Sequence, residues 1–305
     1  VEALAWQAEI YEVQGWLQPA LATWKRVLQL EPQHARARPH LARLLELEGD
    51  NLRRRHWYEQ AVEIYQRGLE YWPQNARMRA LLGLCHARLR QLEVARQMFE
   101  ETLHLGEPKM TAHYWVICAW LELGRWGEAL AVLDRAEKLE PPPPSTLYLD
   151  LSAHCLAMWR PDWAMALWER ALARFPNDPD FLIRVAAGYG GQGDGQRAIH
   201  LLRRAIELEP NNELAHLWLA NYYYTELGQK RLAERHWRIA EELAHKAGNR
   251  EMVTFIRVTR DYFLSGGRTL PPELIMDALG GIADQAGGLD GSNEENKGDN
   301  VPDPF

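Results

Sequence analysis

Small and bulky apolar side chains recur along the chain at the spacing of an amphipathic helix. Ala20, Trp24 and Val27 stand at positions i, i+4 and i+7, so they lie on one face of a helix. Pro32 follows four residues after Leu28, and a proline cannot continue a helix. The segment therefore predicts a helix that buries this face and ends shortly before Pro32.

The same pattern returns six more times. Each copy begins with an alanine, and the alanines are separated by 41, 34, 34, 35, 34 and 35 residues. The seven leading residues are Ala20, Ala61, Ala95, Ala129, Ala164, Ala198 and Ala233. A nearly constant period of this length predicts a solenoid of stacked helical units.

A second amphipathic helix precedes each of these segments. In the first copy it carries Leu4, Ala8 and Tyr11 and closes at Gly15. This order of large, small, aromatic and glycine positions, followed by alanine, aromatic and proline, resembles the tetratricopeptide repeat. The resemblance covers residues 1–245 and implies an all-α, right-handed superhelical solenoid of antiparallel helix pairs. The seven repeats then lie near 1–34, 35–75, 76–109, 110–143, 145–178, 179–212 and 213–245.

The second repeat is seven residues longer than the others. If Gly49 closes its first helix, the extra residues extend the second helix by about two turns toward its N terminus, with Asp50 or Asn51 as the cap. The tip of this extension is basic and carries Arg53, Arg54, Arg55 and His56. It is either a solvated helix end or a docking point for an acidic partner or an anionic headgroup.

Two further segments follow the repeats. Residues 250–264 have an apolar stripe and precede Gly266 and Gly267, so we expect one extra helix that covers the end of the array. Residues 265–305 hold eight acidic and two basic side chains and predict an acidic, largely disordered tail.

The charge distribution bears on the partner. The tail carries −6 of the total net charge of −7, which leaves the repeats close to neutral. A neutral surface has no general attraction for phosphate backbones, so we expect no nucleic-acid partner. No apolar run approaches the roughly 18 residues of a membrane helix, so we expect no direct membrane insertion within this chain.

The beginning of the chain bears on its origin. Val1 already lies inside a repeat, and we interpret the sequence as part of a longer product. We expect a cytoplasmic protein, unless an upstream signal or anchor precedes this segment.

Few side chains in the sequence point to catalysis or metal binding. Cys85, Cys118 and Cys155 fall in the first helices of three successive repeats, where thiolates could bind zinc. Adjacent residues on a helix point about 100° apart, so few of these groups and the neighbouring histidines can converge. We interpret the cysteines as small core residues and expect no catalytic residue, no metal and no cofactor.

The resemblance implies a binding surface on the first helices, which line the concave side of such solenoids. The residues that map to this side and that we expect to contact a partner are Tyr114, Trp115, Leu121, Asp150, Arg184, Trp218, Asn221 and Tyr224. Exposed aromatic side chains in a concavity anchor peptides or helices well. The alternative is that Trp115 and Trp218 fill gaps between helices.

Chaperone-binding members of the family grip a terminal carboxylate with a lysine at the fifth position of a repeat. The residues at this position are Ala5, Pro39, Ala80, Tyr114, Leu149, Ile183 and Leu217. None is lysine, so we expect no such clamp.

These observations predict a non-catalytic scaffold or adaptor that binds a peptide or helix of another protein in its concave groove. The alternative is an accessory module of a larger membrane-associated enzyme or of a polysaccharide or protein secretion machine. The fold alone does not choose between partners.

Overall fold

The computed structural model describes residues 1–105 and 109–267, which form fifteen α-helices and the turns between them. The predicted acidic tail lies outside them from residue 268 onward. The first eight helices are α1 (Glu2–Val13), α2 (Leu17–Leu30), α3 (Ala37–Arg54), α4 (Tyr58–Tyr71), α5 (Ala76–Arg88), α6 (Leu92–Leu103), α7 (Lys109–Glu122) and α8 (Trp126–Ala136). The remaining seven are α9 (Ser145–Ala157), α10 (Pro161–Arg174), α11 (Pro179–Gly191), α12 (Gly195–Leu208), α13 (Glu213–Thr225), α14 (Lys230–Lys246) and α15 (Arg250–Leu264).

Helices that follow one another in the chain pack against one another, as α1 does with α2 and α3 with α4. The all-α class and the sequential packing of helix pairs are therefore confirmed. The chain forms two compact units that divide within α10, between Ala164 and Met165.

Alternating small and bulky residues hold each helix pair together. In the first unit, all four leading alanines from Ala20 to Ala129 are buried, and so are the bulky residues four positions later. Gly83 in α5 lies against Phe99 in α6, where an added Cβ atom would stand 2.7 Å from the ring. The second unit uses the same device, because Gly188 in α11 lies against the Trp168 ring in α10. Helices approach this closely only where one of the facing side chains is very small.

Side-chain caps begin several of the first helices. Asn75, Asp178 and Asn212 each accept a hydrogen bond from the backbone N–H three residues later, at 2.8, 3.0 and 2.9 Å. Such caps satisfy an N–H group that has no partner within the helix.

The turn inside each helix pair contains one residue in the left-handed region. Glycine takes this place in several repeats, as at Gly15 and Gly124. The second, third and fifth repeats have His56, Arg90 and Trp159 there instead, with φ of 62°, 65° and 59°. A side chain in this region costs energy that the surrounding helix pair must offset.

This turn corrects the predicted position of the insertion. The left-handed residue of the second repeat is His56, whereas Gly49 lies inside α3. The extra residues therefore lengthen the first helix of the repeat, which has 18 residues, and α4 begins only at Tyr58. Asp50 is not a cap, because its side chain is buried and bonded to neighbouring helices.

Helix α15 packs against α14 and α13 in the second unit. Its Phe263 ring stacks on Trp237 with the ring centroids 6.2 Å apart, and Val253 and Ile256 are buried beside it. Its bounds are those of the extra helix that the apolar stripe predicts.

Candidate functional site

The first helices of the first unit present a group of aromatic and charged side chains. Tyr114 and Trp115 on α7 are half-buried, and their rings meet edge to face with centroids 4.9 Å apart. The Arg77 guanidinium on α5 lies 5.0 Å from the centroid of the Trp115 ring. A cation at this distance over an indole is attracted by the negative face of the ring. We call Arg77, Tyr114 and Trp115 the aromatic patch.

Two carboxylates on α3 fix Arg77 in place. One Nη atom lies 2.5 Å from Asp50 Oδ2, and the other binds Glu46. The same carboxylates bind two further donors, since the Tyr65 hydroxyl donates to Asp50 over 2.6 Å and the Asn75 amide donates to Glu46 over 2.8 Å. Charge-assisted bonds of this kind orient a guanidinium and neutralise it. The α3–α5 pair therefore holds the indole of α7 under a fixed cation.

Tyr114 completes the patch with a protonated hydroxyl. Burial raises the pKa of Tyr114, and the neighbouring Cys118 and Asp150 raise it further. The phenol stays neutral at physiological pH, and because its O–H donates to Cys118, its oxygen remains to accept a hydrogen bond from a partner. Helix α9, which carries Asp150, packs against α7.

The structure separates Arg53 from the rest of the predicted basic tip. Its guanidinium is 19% exposed and lies 2.7 Å from Glu122 Oε2 at the end of α7. The lengthened α3 thus reaches α7, two repeats along the chain. Arg54, Arg55 and His56 are exposed, and Arg55 lies 5.7 Å from the centroid of the Trp57 ring. The docking role of these three residues stays a prediction.

Three other predicted contact residues lie in the core. Leu121, Trp218 and Asn221 are 2%, 5% and 4% exposed. Asn221 accepts the indole N–H of Trp237 over 2.8 Å, so it joins α13 to α14. These side chains offer almost no surface to a partner. Trp218 packs between helices, which is the alternative that the sequence analysis gives for it.

The remaining predicted residues reach the surface. In the first unit Asp150 is exposed. In the second unit Arg184 and Tyr224 are half-buried, and the Tyr224 ring lies 5.8 Å from Phe263 and 5.7 Å from the Lys230 ammonium. Tyr224 is therefore held by α15, which sequence spacing alone does not reveal.

The three cysteines are buried thiols. Burial raises the pKa of Cys85 to about 12 and the pKa of Cys155 to about 12, and it also raises that of Cys118. The thiolate, which is the reactive and metal-binding form, is thus disfavoured at each position. Within residues 1–105 and 109–267, no three histidine, cysteine or acidic side chains lie close enough together to hold a metal ion. In the same part of the chain, no helix combines the length and the apolar character needed to span a membrane.

The packed helix pairs and their 34-residue period define a helical repeat protein. A family model described as "Tetratricopeptide repeat" matches residues 47–109, 88–144 and 188–234. The chain is a tetratricopeptide repeat protein. Proteins of this family generally serve as protein–protein interaction modules, and the predicted resemblance is confirmed.

The individual proteins that resemble this chain either match a short part of it or have low sequence identity. Mouse "Interferon-induced protein with tetratricopeptide repeats 2" is 42% identical over 64 residues, which are 21% of this chain and 14% of that protein. The crystal structure of yeast Tom70 is 17% identical with a TM-score of 0.41, over 80% of this chain and 58% of that one. A tetratricopeptide repeat protein from Parabacteroides merdae is 16% identical with a TM-score of 0.37, over 84% and 98% of the two chains.

Proposed function

We propose that this protein is a non-catalytic scaffold or adaptor, and that the aromatic patch of its first unit is the contact for a peptide or helix of a partner protein. The half-buried Trp115 ring supports this function, because it is held between Tyr114 and the fixed guanidinium of Arg77. An aromatic side chain that is held by its neighbours loses little conformational entropy on binding.

Recognition at this patch combines apolar contact with hydrogen bonding. The partner places an apolar side chain against the rings of Tyr114 and Trp115, and it bonds to the Tyr114 hydroxyl. Arg77 adds little net charge, because Glu46 and Asp50 neutralise it. Affinity for the patch therefore depends on apolar fit more than on the sign of the partner's charge.

The family's usual role and the chemistry of the patch both support binding rather than catalysis. The patch contains no nucleophile beside a base, and the thiol nearest to it, Cys118, is kept protonated by burial. A binding role needs only the rings and their supports.

An affinity capture from the native source tests the proposal. The full chain is compared with Trp115→Ala and with Trp159→Ala, whose side chain is 90% exposed in the turn between α9 and α10. Removing a central aromatic anchor costs about 2 kcal/mol or more, which is roughly a thirtyfold loss of affinity. We expect a protein that is retained by the wild type and by Trp159→Ala and lost with Trp115→Ala.

Circular dichroism provides the folding control for both variants. A partner that Trp115→Ala retains as well as the wild type would move recognition away from the patch and contradict the proposal.

A further inference from the structure

The second unit contains a slot between α10 and α12 that no predicted contact residue lines. Its volume is about 460 Å³, within the range of roughly 300–1,000 Å³ typical of ligand sites. Leu172, Leu182, Leu201 and the Tyr189 ring form its apolar wall. Tyr189 and Leu182 are fully buried, so this wall belongs to the core of the unit.

Polar contacts that α12 makes with α10 and with the turn after α10 flank the slot. At one end Arg197 Nη1 lies 2.9 Å from Glu169 Oε1, and the guanidinium lies 5.2 Å from the centroid of the Tyr189 ring. At the other end Arg204 donates a hydrogen bond of 3.0 Å to Asn177 Oδ1. The two arginines are seven residues apart on α12, or about 10 Å along the helix. The opening is therefore about as long as one or two side chains.

The two ends differ in charge. Arg197 is neutralised by Glu169 and also by Asp194, at 3.2 Å. Arg204 bonds to the neutral amide of Asn177, and its other contact is an exposed ion pair of 3.1 Å with Glu207, which solvent weakens. His200 is exposed on the wall between the arginines. The rim at His200 and Arg204 thus carries the less neutralised of the two guanidinium groups and further N–H donors beside an apolar slot.

This combination is specific to the sixth repeat. Relative to the leading alanine Ala198, Arg197 stands one residue before it, His200 two residues after it and Arg204 six residues after it. The same three places in the fourth repeat hold Glu128, Ala131 and Arg135, and no other repeat has basic residues at all three. An arginine also stands at the Arg204 place in the first, second, fourth and fifth repeats, so the combination with Arg197 and His200, and not Arg204 itself, is particular to the sixth repeat.

We propose that this slot is a second protein-binding site, which takes a large apolar side chain of a peptide segment whose adjacent carboxylates pair with His200 and Arg204. The apolar wall accounts for the side chain, and the N–H donors of Arg204 and His200 account for the acidic neighbours. Opposite charges at the rim of a contact set specificity and speed association. The site lies in the other unit from the aromatic patch, so the two proposals stand or fall separately.

The test measures binding of a short fluorescein-labelled peptide, with a leucine–phenylalanine pair between two glutamates, to the full chain by fluorescence anisotropy. His200→Glu places a carboxylate on the rim, and Leu172→Ala shortens a half-buried side chain of the apolar wall. Ala131→Glu is the matched control, because it adds a negative charge at the equivalent exposed place of the fourth repeat. A second peptide carries glutamines in place of the glutamates.

We expect saturable binding that His200→Glu weakens about tenfold or more and Leu172→Ala about fivefold, while Ala131→Glu stays within about twofold of the wild type. The glutamine peptide binds about tenfold more weakly than the glutamate peptide, and added salt removes most of this difference. Circular dichroism confirms that each variant is folded. Absence of saturable binding, or equal binding to His200→Glu and Ala131→Glu, would overturn the proposal.

Discussion

Replacing Gly49 by alanine tests the close packing of α3 on α4. An alanine Cβ at this position would stand 2.5 Å from Cε1 and 2.7 Å from Cδ1 of Tyr65. The Tyr65 ring is fully buried, and its hydroxyl donates to Asp50 over 2.6 Å. The ring must therefore move, and the movement stretches its bond to a carboxylate that also holds Arg77.

Three effects determine the size of the change. Alanine is favoured over glycine inside a helix by about 1 kcal/mol. Overpacking a filled core costs about 1–3 kcal/mol. Weakening the buried Tyr65–Asp50 hydrogen bond costs about 1–3 kcal/mol more. The free energy of unfolding of Gly49→Ala should thus fall by about 3 kcal/mol, although helix propensity alone predicts an increase.

Urea denaturation followed by circular dichroism measures this difference. Gly127→Ala in α8 is the matched control, because nothing lies within 4 Å of its added Cβ. We expect it to raise the free energy of unfolding slightly, by about 0.5 kcal/mol. A Gly49→Ala protein as stable as the wild type would refute the close approach of these helices.

Three further outcomes follow from buried polar groups. His236 and His216 are hydrogen-bonded through Nδ1 at 2.9 Å, and burial lowers the pKa of both imidazoles, that of His236 to about 4. The folded state then binds fewer protons than the unfolded state. In urea titrations the free energy of unfolding should therefore fall as the pH drops from about 6.5 toward 4. His236→Phe should reduce this dependence on pH. Arg53→Ala should cost about 1–2 kcal/mol in the same assay by leaving Glu122 without its partner, whereas exposed Arg54→Ala should change stability by less than about 0.5 kcal/mol. The three buried thiols should react with Ellman's reagent at pH 8 only after urea unfolds the protein.

The helix pairs could be predicted from the sequence because helical periodicity is a local property. The recurrence of alanine and bulky residues at i and i+4 is visible without any knowledge of the fold. The position of the insertion could not be predicted in this way. Gly49 resembles a turn glycine, but its role is to make room for Tyr65, and the left-handed turn falls on His56. A glycine at a close approach and a glycine in a turn look the same in sequence.

The candidate site was only partly predictable for a related reason. Tyr114 and Trp115 were identified from their place in the repeat, but Arg77 and its carboxylates join three different helices and have no local signature. Trp218 holds the same place in its repeat as Trp115, and its helix α13 is apolar on nearly every side, as α7 is. The pattern along these two helices therefore does not distinguish the buried Trp218 from the half-buried Trp115.

Site-specific photocrosslinking tests whether the aromatic patch contacts the partner. Benzoylphenylalanine is placed at Tyr114 in the aromatic patch and, in a separate protein, at Trp72, which is exposed at the end of α4. After irradiation in an extract of the native source, we expect a crosslinked partner from position 114 that is absent from position 72. Trp115→Ala in the same chain should suppress this crosslink. Crosslinks of equal yield from both positions, or a position-114 crosslink that persists with Trp115→Ala, would contradict the claim that the aromatic patch binds the partner.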